Sequence, residues 1–211
     1  MTVYSYIVTD DTGFSPNPFH GYCTLACCKP AIRRTAKKGD WVVGLTPKKQ
    51  GHRIVYFMRV DETPKTYAEY WRDKRFIAKR PRYDDSVLKK CGDNIYEPKG
   101  SGYRQLPSMH SNRDNRELEN PVNKAHDLGG KHVLISETFA YFGSEPRNLP
   151  SDLTALAPGR GHRSRFSDEV KEAFLNFTRT AKFGVHAHPR RWTEGDISWK
   201  AGGCGCAERP K

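Results

Sequence analysis

The sequence lacks the apolar content and the long apolar runs of a membrane protein. Hydrophobic residues make up 36% of its 211 residues, and the mean hydropathy is −0.80. Because no run of 18 apolar residues occurs, no membrane-spanning helix is expected. The first residues show no basic segment followed by an apolar one, so a secretory leader is not expected. We therefore expect a cytoplasmic chain whose six cysteines are free thiols.

The motifs of several enzyme classes are also missing. There is no G-x-x-x-x-G-K-[ST] phosphate loop, no G-x-S-x-G nucleophile turn and no H-E-x-x-H zinc helix. The H-x-E and P-C-x-x-C pair of zinc-dependent base deaminases is absent as well. Residues 159–164 begin like a dinucleotide loop, but they have no third glycine and no strand precedes them. No cofactor is therefore expected.

Cysteine and histidine are present without forming a recognisable metal site. Cys23, Cys27 and Cys28 lie close to His20 in the sequence, whereas structural zinc needs two ligand pairs at defined spacings. We expect no metal, and we expect Cys23 and Cys27 to be small buried side chains. A nucleophilic cysteine with a histidine partner stays open, because eight histidines are available but the sequence places none beside a cysteine.

The sequence does contain many aromatic rings and much positive charge. Ten Phe, ten Tyr and four Trp can form a core, which excludes full disorder. Thirty-six Lys and Arg against 24 Asp and Glu give a net charge of +12, which favours nucleic acid as a partner. Basic residues cluster near aromatic rings within residues 29–38, 74–83 and 160–165, where they could bind phosphates. The alternative is a solvated basic surface without a partner.

Local patterns predict a mixture of strands and helices. Strands are expected over residues 3–9, 41–45, 54–60 and 132–136, with 139–142 as an extension of the last. Thr66 and Glu69 match a capping box that opens a short helix. Ser167 is expected to cap a helix whose apolar face contains Val170, Ala173, Phe174 and Phe177. The order of these elements predicts an α+β fold with a small curved sheet or barrel.

The chain is expected to form one domain over residues 1–192. Residues 97–130 form a long polar insertion that is either functional or disordered. Residues 193–211 are expected to be a flexible tail that carries Cys204 and Cys206. Within the strand over residues 54–60, Phe57 and Val55 are expected on one face and Ile54 on the other.

One block of the chain resembles the central part of PUA-like domains. Residues 39–44, preceded by the basic segment 33–38 and followed by the strand 53–60, resemble the EVE and YTH branch of these domains most. This resemblance implies a small curved β-barrel, mixed or antiparallel, with flanking helices. It also implies an aromatic-lined pocket that holds a modified or flipped base.

A second resemblance covers about residues 3–192. Residues 12–19 and 21–30 resemble the nucleotide-modification-associated domain proteins, which are linked to hypermodification of DNA bases. Further matches are Tyr70, Trp71, Arg75, Phe76, residues 92–96, Gln105, His110, Phe142, Gly143 and residues 159–163. The resemblance implies a setting in DNA base modification rather than a particular reaction.

The two resemblances imply candidate site residues. A pocket between the first strand, the loop after it and the strand that begins at Trp41 would stack a base on aromatic rings. The residues expected in this base pocket are Asn17, Phe19, Tyr22, Cys23, Trp41, Asn94 and Gln105. The residues expected to bind phosphates are Lys29, Arg33, Arg75, Lys79, Arg80, Arg160, His162 and Arg163. For Trp41 the alternative is core packing.

Two classes of function follow. The first is a nucleic-acid-binding module that recognises a modified or flipped base, with DNA as the expected partner, RNA as the alternative and base-modifying enzymes as further partners. The second is an enzyme that acts on a DNA base or nucleotide, with Asp93 and His110 as acid and base and Cys23 as a candidate nucleophile. The missing catalytic motifs favour the binding module.

Overall fold

The computed structural model describes residues 1–83, 86–159 and 161–193. Over these residues the strands are β1 Val3–Ile7, β2 Cys23–Leu25, β3 Trp41–Leu45, β4 Ile54–Arg59, β5 Lys65–Thr66, β6 Tyr96–Lys99, β7 Gly102–Gln105, β8 His132–Ser136, β9 Phe139–Tyr141, β10 His162–Arg163 and β11 Gly184–Val185. The α-helices are α1 Pro30–Thr35, α2 Tyr67–Arg72, α3 Val87–Lys90, α4 Pro121–Leu128 and α5 Asp168–Thr180. Shorter 3-10 helices cover Lys48–Gln50, Lys74–Lys79 and Ser151–Leu156. None of the described helices is long and apolar enough to cross a bilayer.

The strands form one large sheet and two small ones. The six-stranded sheet has the order β10-β1-β3-β4-β9-β11, in which β1 runs parallel to β3 and β9 runs parallel to β11. A three-stranded sheet has the order β2-β8-β5, and β6 and β7 form a hairpin. The α+β class is therefore confirmed. No closed barrel is detected among the strands of the described residues, so the expected PUA-like barrel is not confirmed.

The large sheet is apolar on both faces. On one face Tyr6 and Met58 join Leu25 and Leu134 of the three-stranded sheet in a buried cluster. On the other face Phe57 and its neighbours pack against α5 and the 3-10 helix Ser151–Leu156. A third cluster lies beneath α2 and the hairpin, on the far side of the small sheet. The molecule is thus layered, and both sheets are covered.

A β-bulge changes the faces of two core residues. Gly44 pairs with Tyr56 and Leu45 pairs with Ile54, so Val55 has no partner in β3. The extra residue shifts the alternation of β4. Ile54 therefore faces α5 and Val55 faces the three-stranded sheet. The predicted faces of these two residues were wrong, whereas Phe57 does lie on the face covered by α5.

The predicted helix caps are present. The side chain of Thr66 accepts from the backbone N–H of Glu69, and the carboxylate of Glu69 accepts from the backbone N–H of Thr66. The helix α2 begins directly after Thr66. Ser167 caps α5, and Phe174 of this helix lies in the core as its spacing predicts. The polar insertion over residues 97–130 contains most of the hairpin and all of α4. The tail with Cys204 and Cys206 lies outside the described residues.

We expect Phe57→Ala to lower the free energy of unfolding by about 3–5 kcal/mol. The ring is fully buried, and its centroid lies 6.2 Å from those of Phe142 and Phe174. Urea denaturation measures the change. Val122→Ala is the control, because this side chain is 77% exposed and its loss should change stability by less than about 0.5 kcal/mol. Equal stability of Phe57→Ala and the wild type would contradict this packing.

Candidate functional site

The turn between β2 and α1 presents a cysteine in an unusual backbone conformation. Cys28 has φ 56° and Lys29 has φ 42°, in the left-handed region that side chains rarely adopt. Such outliers persist where the surrounding structure holds them, and they are frequent at functional sites. Cys28 is partly exposed, whereas Cys23, Cys27 and Cys91 are buried, and all four are free thiols.

A histidine and a carboxylate stand behind Cys28. Its Sγ lies 3.6 Å from Nε2 of His110, and Nδ1 of His110 lies 2.6 Å from Oδ2 of Asp127. His110 belongs to the polar insertion, and Asp127 lies near the end of α4. A thiol, an imidazole that can exchange its proton and a carboxylate that orients the imidazole form the arrangement used in nucleophilic catalysis.

The carboxylate of Asp127 is fully buried and has several donors. The backbone N–H of Cys28 donates to Oδ1 at 2.7 Å, and the hydroxyl of Tyr96 donates to Oδ2 at 2.8 Å. The backbone carbonyl of Asp127 accepts from Tyr67 and from Arg33. The turn that carries Cys28 is therefore fixed to the residue that orients His110.

The charges of the cluster are mutually dependent. Burial lowers the pKa of His110, but hydrogen bonds to Asp127 and Cys28 outweigh it and raise the pKa to about 10. Burial raises the pKa of Asp127, and the hydrogen bond from His110 reverses this and holds it below its usual value. At neutral pH His110 is therefore protonated and Asp127 ionised. The protonated ring carries an N–H at Nε2, the atom that lies 3.6 Å from the sulfur of Cys28.

The same residues could hold a metal ion. Donor atoms of Cys27, His110 and Asp127 lie within 4.8 Å of one another. His110 and Asp127 already satisfy each other through a hydrogen bond, and burial raises the pKa of the Cys27 thiol well above its usual value. A metal would therefore have to displace a proton from Cys27 and rearrange this hydrogen bond.

The structure places Asn17 and Lys79 together in a buried polar cluster. Lys79 is fully buried, and its Nζ donates to the carbonyl and side-chain oxygens of Asn17 and to the carbonyl of Tyr22. Burial lowers the pKa of Lys79 to about 8. The amide nitrogen of Asn17 donates to the carbonyl of Cys91. Both polar groups of the Asn17 side chain thus have protein partners.

Asp93, Asn94 and Gln105 also lie in the interior. Thr24 and Tyr70 each donate a hydroxyl to the carboxylate of Asp93 at 2.7 Å, and burial raises the pKa of this group. Asn94 donates to the carbonyl of Phe76. The amide of Gln105 donates to the carbonyl of His110, so it supports the loop that carries this residue. The structure does not bring Asp93 and His110 into contact as an acid-base pair.

The aromatic residues predicted to line one pocket lie in different parts of the structure. Phe19 stacks on Trp192, with ring centroids 5.4 Å apart. Tyr22 packs edge-on against Phe76. Trp41 belongs to the cluster on the opposite face of the large sheet from Cys23. The expectation that these rings surround one base is corrected, because Phe19, Tyr22 and Trp41 pack in three different apolar clusters.

Cys23 is fully buried, and its Sγ lies 3.9 Å from Sδ of Met58. Burial also raises the pKa of this thiol above its usual value. A buried neutral thiol is a poor nucleophile.

The predicted phosphate-binding residues differ widely in exposure. Arg33 is fully buried, and its guanidinium donates to the carbonyls of Cys28, Asp127 and His132. The expectation of phosphate binding by Arg33 and Lys79 is therefore corrected, because both side chains are fully buried and present no surface to a phosphate.

The other predicted cations lie nearer the surface. Arg75 pairs with Glu62 and Asp73, and Arg80 stacks on Trp71. The remaining ones lie apart: Lys29 is half-buried over the Tyr6 ring, His162 and Arg163 are exposed on β10, and Arg160 lies outside the described residues.

Sequence reasoning missed Cys28 and Asp127 as the two partners of the His110 ring. The three residues are up to 99 positions apart, so no local spacing reveals them. One signal was available. Cys28 lies in the turn between a strand and the proline that begins a helix, and such a turn can present a side chain to a ligand.

Comparison with known proteins relates the chain to a protein family. Residues 1–196 match the family model described as nucleotide modification associated domain 2. This confirms the second resemblance seen in the sequence. No curated protein and no solved structure matches the chain.

The pKa of His110 makes stability depend on pH. Its folded value of about 10 lies above the usual 6.5, so its contribution is complete below about pH 6.5 and is lost as the pH rises through 10. We expect the stability difference between the wild type and His110→Gln, measured by urea denaturation, to shrink between these values. His162→Gln is the control, because His162 is exposed. A difference that is constant with pH would contradict the interaction with Asp127.

Proposed function

This chain belongs to the nucleotide modification associated domain 2 family, and we propose that it catalyses a step of nucleotide modification with Cys28 as the nucleophile. The observation that carries the proposal is the hydrogen-bonded series from Cys28 through His110 to Asp127. The family description supports a nucleotide, or a base within DNA, as the class of substrate that we propose. The site supplies the chemistry.

Cys28 fits this role better than the other candidates do. It is the partly exposed thiol among the four described cysteines, and its sulfur lies 3.6 Å from Nε2 of His110. Asp93 is 1% exposed, with both carboxylate oxygens bonded to hydroxyls inside the core. A group that cannot reach a substrate cannot exchange a proton with it.

The residues allow a simple addition step. The thiolate of Cys28 attacks an electrophilic carbon of the base or of a group attached to it, and a carbon–sulfur bond forms. The π electron pair of that carbon moves to the neighbouring atom, which takes the proton from Nε2 of His110. Asp127 holds His110 in place and balances its charge before the transfer. A hydroxymethyl group on the neighbouring carbon can then leave as formaldehyde, with its hydroxyl proton going to Nε2 of His110. Its bonding electron pair re-forms the double bond of the base, and the carbon–sulfur bond breaks to restore the thiolate of Cys28.

Alkylation of the thiol tests the nucleophile. In a background with Cys204→Ser and Cys206→Ser, we expect iodoacetamide to modify Cys28 first, as followed by mass spectrometry of peptides. His110→Gln should slow this reaction by about tenfold or more, since the thiolate is the reacting form. His162→Gln is the matched control. Reaction of Cys28 at the same rate in both variants would contradict activation by His110.

The catalytic role is tested with oligonucleotides that contain thymine, hydroxymethyluracil or hydroxymethylcytosine, and with the corresponding mononucleotides. Mass spectrometry of the digested product detects a change in the base. We expect any change to be lost in Cys28→Ser and kept in Arg34→Gln, an exposed residue that serves as the control. Full turnover by Cys28→Ser would contradict the proposal.

Nucleic-acid binding with recognition of a base is the second candidate. The observation that favours it is the set of exposed basic residues on and after the edge strand β10, where Arg163 and Arg165 lie two positions apart and His162 precedes them. Exposed guanidinium groups bind phosphates without reading the sequence. A net charge of +12 adds long-range attraction to a polyanion. The free thiols of the described cysteines fit a reducing compartment such as the cytoplasm.

The salt dependence of DNA binding tests this candidate. We expect the affinity for a short duplex to fall steeply with salt, and we expect Arg163→Gln with Arg165→Gln to reduce the logarithmic slope by about 2, or about 1 for each lost phosphate contact. Arg104→Gln is a control, because this residue pairs with Glu97 on the hairpin. A flat salt dependence of the wild type would contradict nucleic-acid binding.

A further inference from the structure

We propose that a cavity at the start of β3 binds an unpaired nucleobase or a nucleotide. The cavity has a volume of about 720 Å³, and it lies between the large sheet and α5. Its lining consists of Met1, Gly39, Trp41, Arg59, Thr138, Leu175, Thr178, Arg179 and Phe183. This volume is in the range of known small-molecule sites, which typically combine an apolar lining with a few polar groups.

The cavity contains an exposed aromatic ring. Phe183 is 47% exposed, while the other large exposed apolar side chains, apart from Met1, lie elsewhere on the surface. Its ring meets that of Phe57 edge-on, with centroids 6.4 Å apart. Trp41 is 5% exposed and packs edge-on against Phe174, so it forms a fixed part of the wall. An aromatic ring that packs against the core and keeps about half of its surface exposed can stack on a base.

Two arginines line the cavity, and Arg59 forms an ion pair with Asp61. Arg59 uses Nε for Asp61 and Nη2 for Thr138, and Arg179 uses Nη1 for Asn176. Each guanidinium has five N–H donors, so both keep donors for a phosphate. The lining contains no Asp or Glu, and Asp61 also accepts from the backbone N–H groups of residues 137 and 138. Aromatic and cationic groups together match the two parts of a nucleotide.

A nucleotide fits this cavity better than a second copy of the chain does. In a symmetric dimer the same surface meets itself, so the two arginines would face the same two arginines of the partner. Like charges across an interface are costly. An anionic aromatic ligand avoids this repulsion and covers the exposed ring.

The cavity is separate from the site around Cys28. Trp41 and its neighbours lie on the face of the large sheet that is covered by α5, whereas Cys28 follows β2 on the other side of this sheet. The inference therefore does not depend on thiol chemistry. The inference specifies where nucleic acid contacts the chain. It would therefore be contradicted if the chain bound polyanions but changes in this cavity left that binding unaltered.

The test is binding of a fluorescein-labelled single-stranded oligothymidylate and of unlabelled thymidine monophosphate to the full chain. Anisotropy reports the first, and quenching of tryptophan fluorescence reports the second. We expect Phe183→Ala and Arg179→Gln each to weaken binding by about tenfold, the typical effect of losing one stacked base or one phosphate contact. Trp41→Phe should remove most of the quenching.

Matched controls separate this site from non-local effects. Ile77→Ala removes a side chain that is 50% exposed elsewhere, and Arg34→Gln removes an exposed charge outside the cavity. Both should bind like the wild type. Equal weakening by site and control variants, or wild-type affinity of both Phe183→Ala and Arg179→Gln, would overturn the inference. The inference would also be overturned if the chain formed a dimer that Phe183→Ala dissociated, while nucleotide had no effect on the dimer.

Discussion

The buried carboxylate of Asp127 is the interaction on which the candidate site depends. An ionised carboxylate inside a protein is costly unless donors replace its lost water. Here the donors are the backbone N–H of Cys28, the hydroxyl of Tyr96 and the ring of His110. These come from the turn after β2, from the hairpin and from the polar insertion. The same requirement that stabilises the fold therefore also brings His110 to Cys28.

Two buried cations show how interior charge organises the chain. Arg33 donates to three backbone carbonyls, and a Cβ on Gly130 would lie 2.4 Å from its guanidinium carbon. Lys79 donates to Asn17 and to the carbonyl of Tyr22. Each joins segments that are distant in sequence. Residue type alone suggested phosphate binding for both, because a lysine or arginine in a basic cluster is usually solvated.

The elements that could be predicted from sequence are those with their own local signals. The β3 strand and α2 have apolar alternation or a capping box, and their bounds agree closely with expectation. Strands of two residues, such as β5 and β11, exist only through pairing with distant partners, so no local pattern marks them. The bulge at Val55 likewise depends on the register of β3 and β4. The expected barrel, which is not confirmed, also lacks a local signal, since closure is a property of the whole sheet.

The candidate site was harder to predict than the fold, and the two adjacent cysteines show why. Cys27 is fully buried, and burial raises the pKa of its thiol, so it acts as a small apolar side chain. Cys28, one position later, is partly exposed beside the protonated ring of His110. The left-handed backbone at Cys28 makes this difference, because it turns the chain from β2 into α1 at that residue. Two adjacent thiols thus differ in exposure and in neighbours through a backbone conformation that no composition or spacing records.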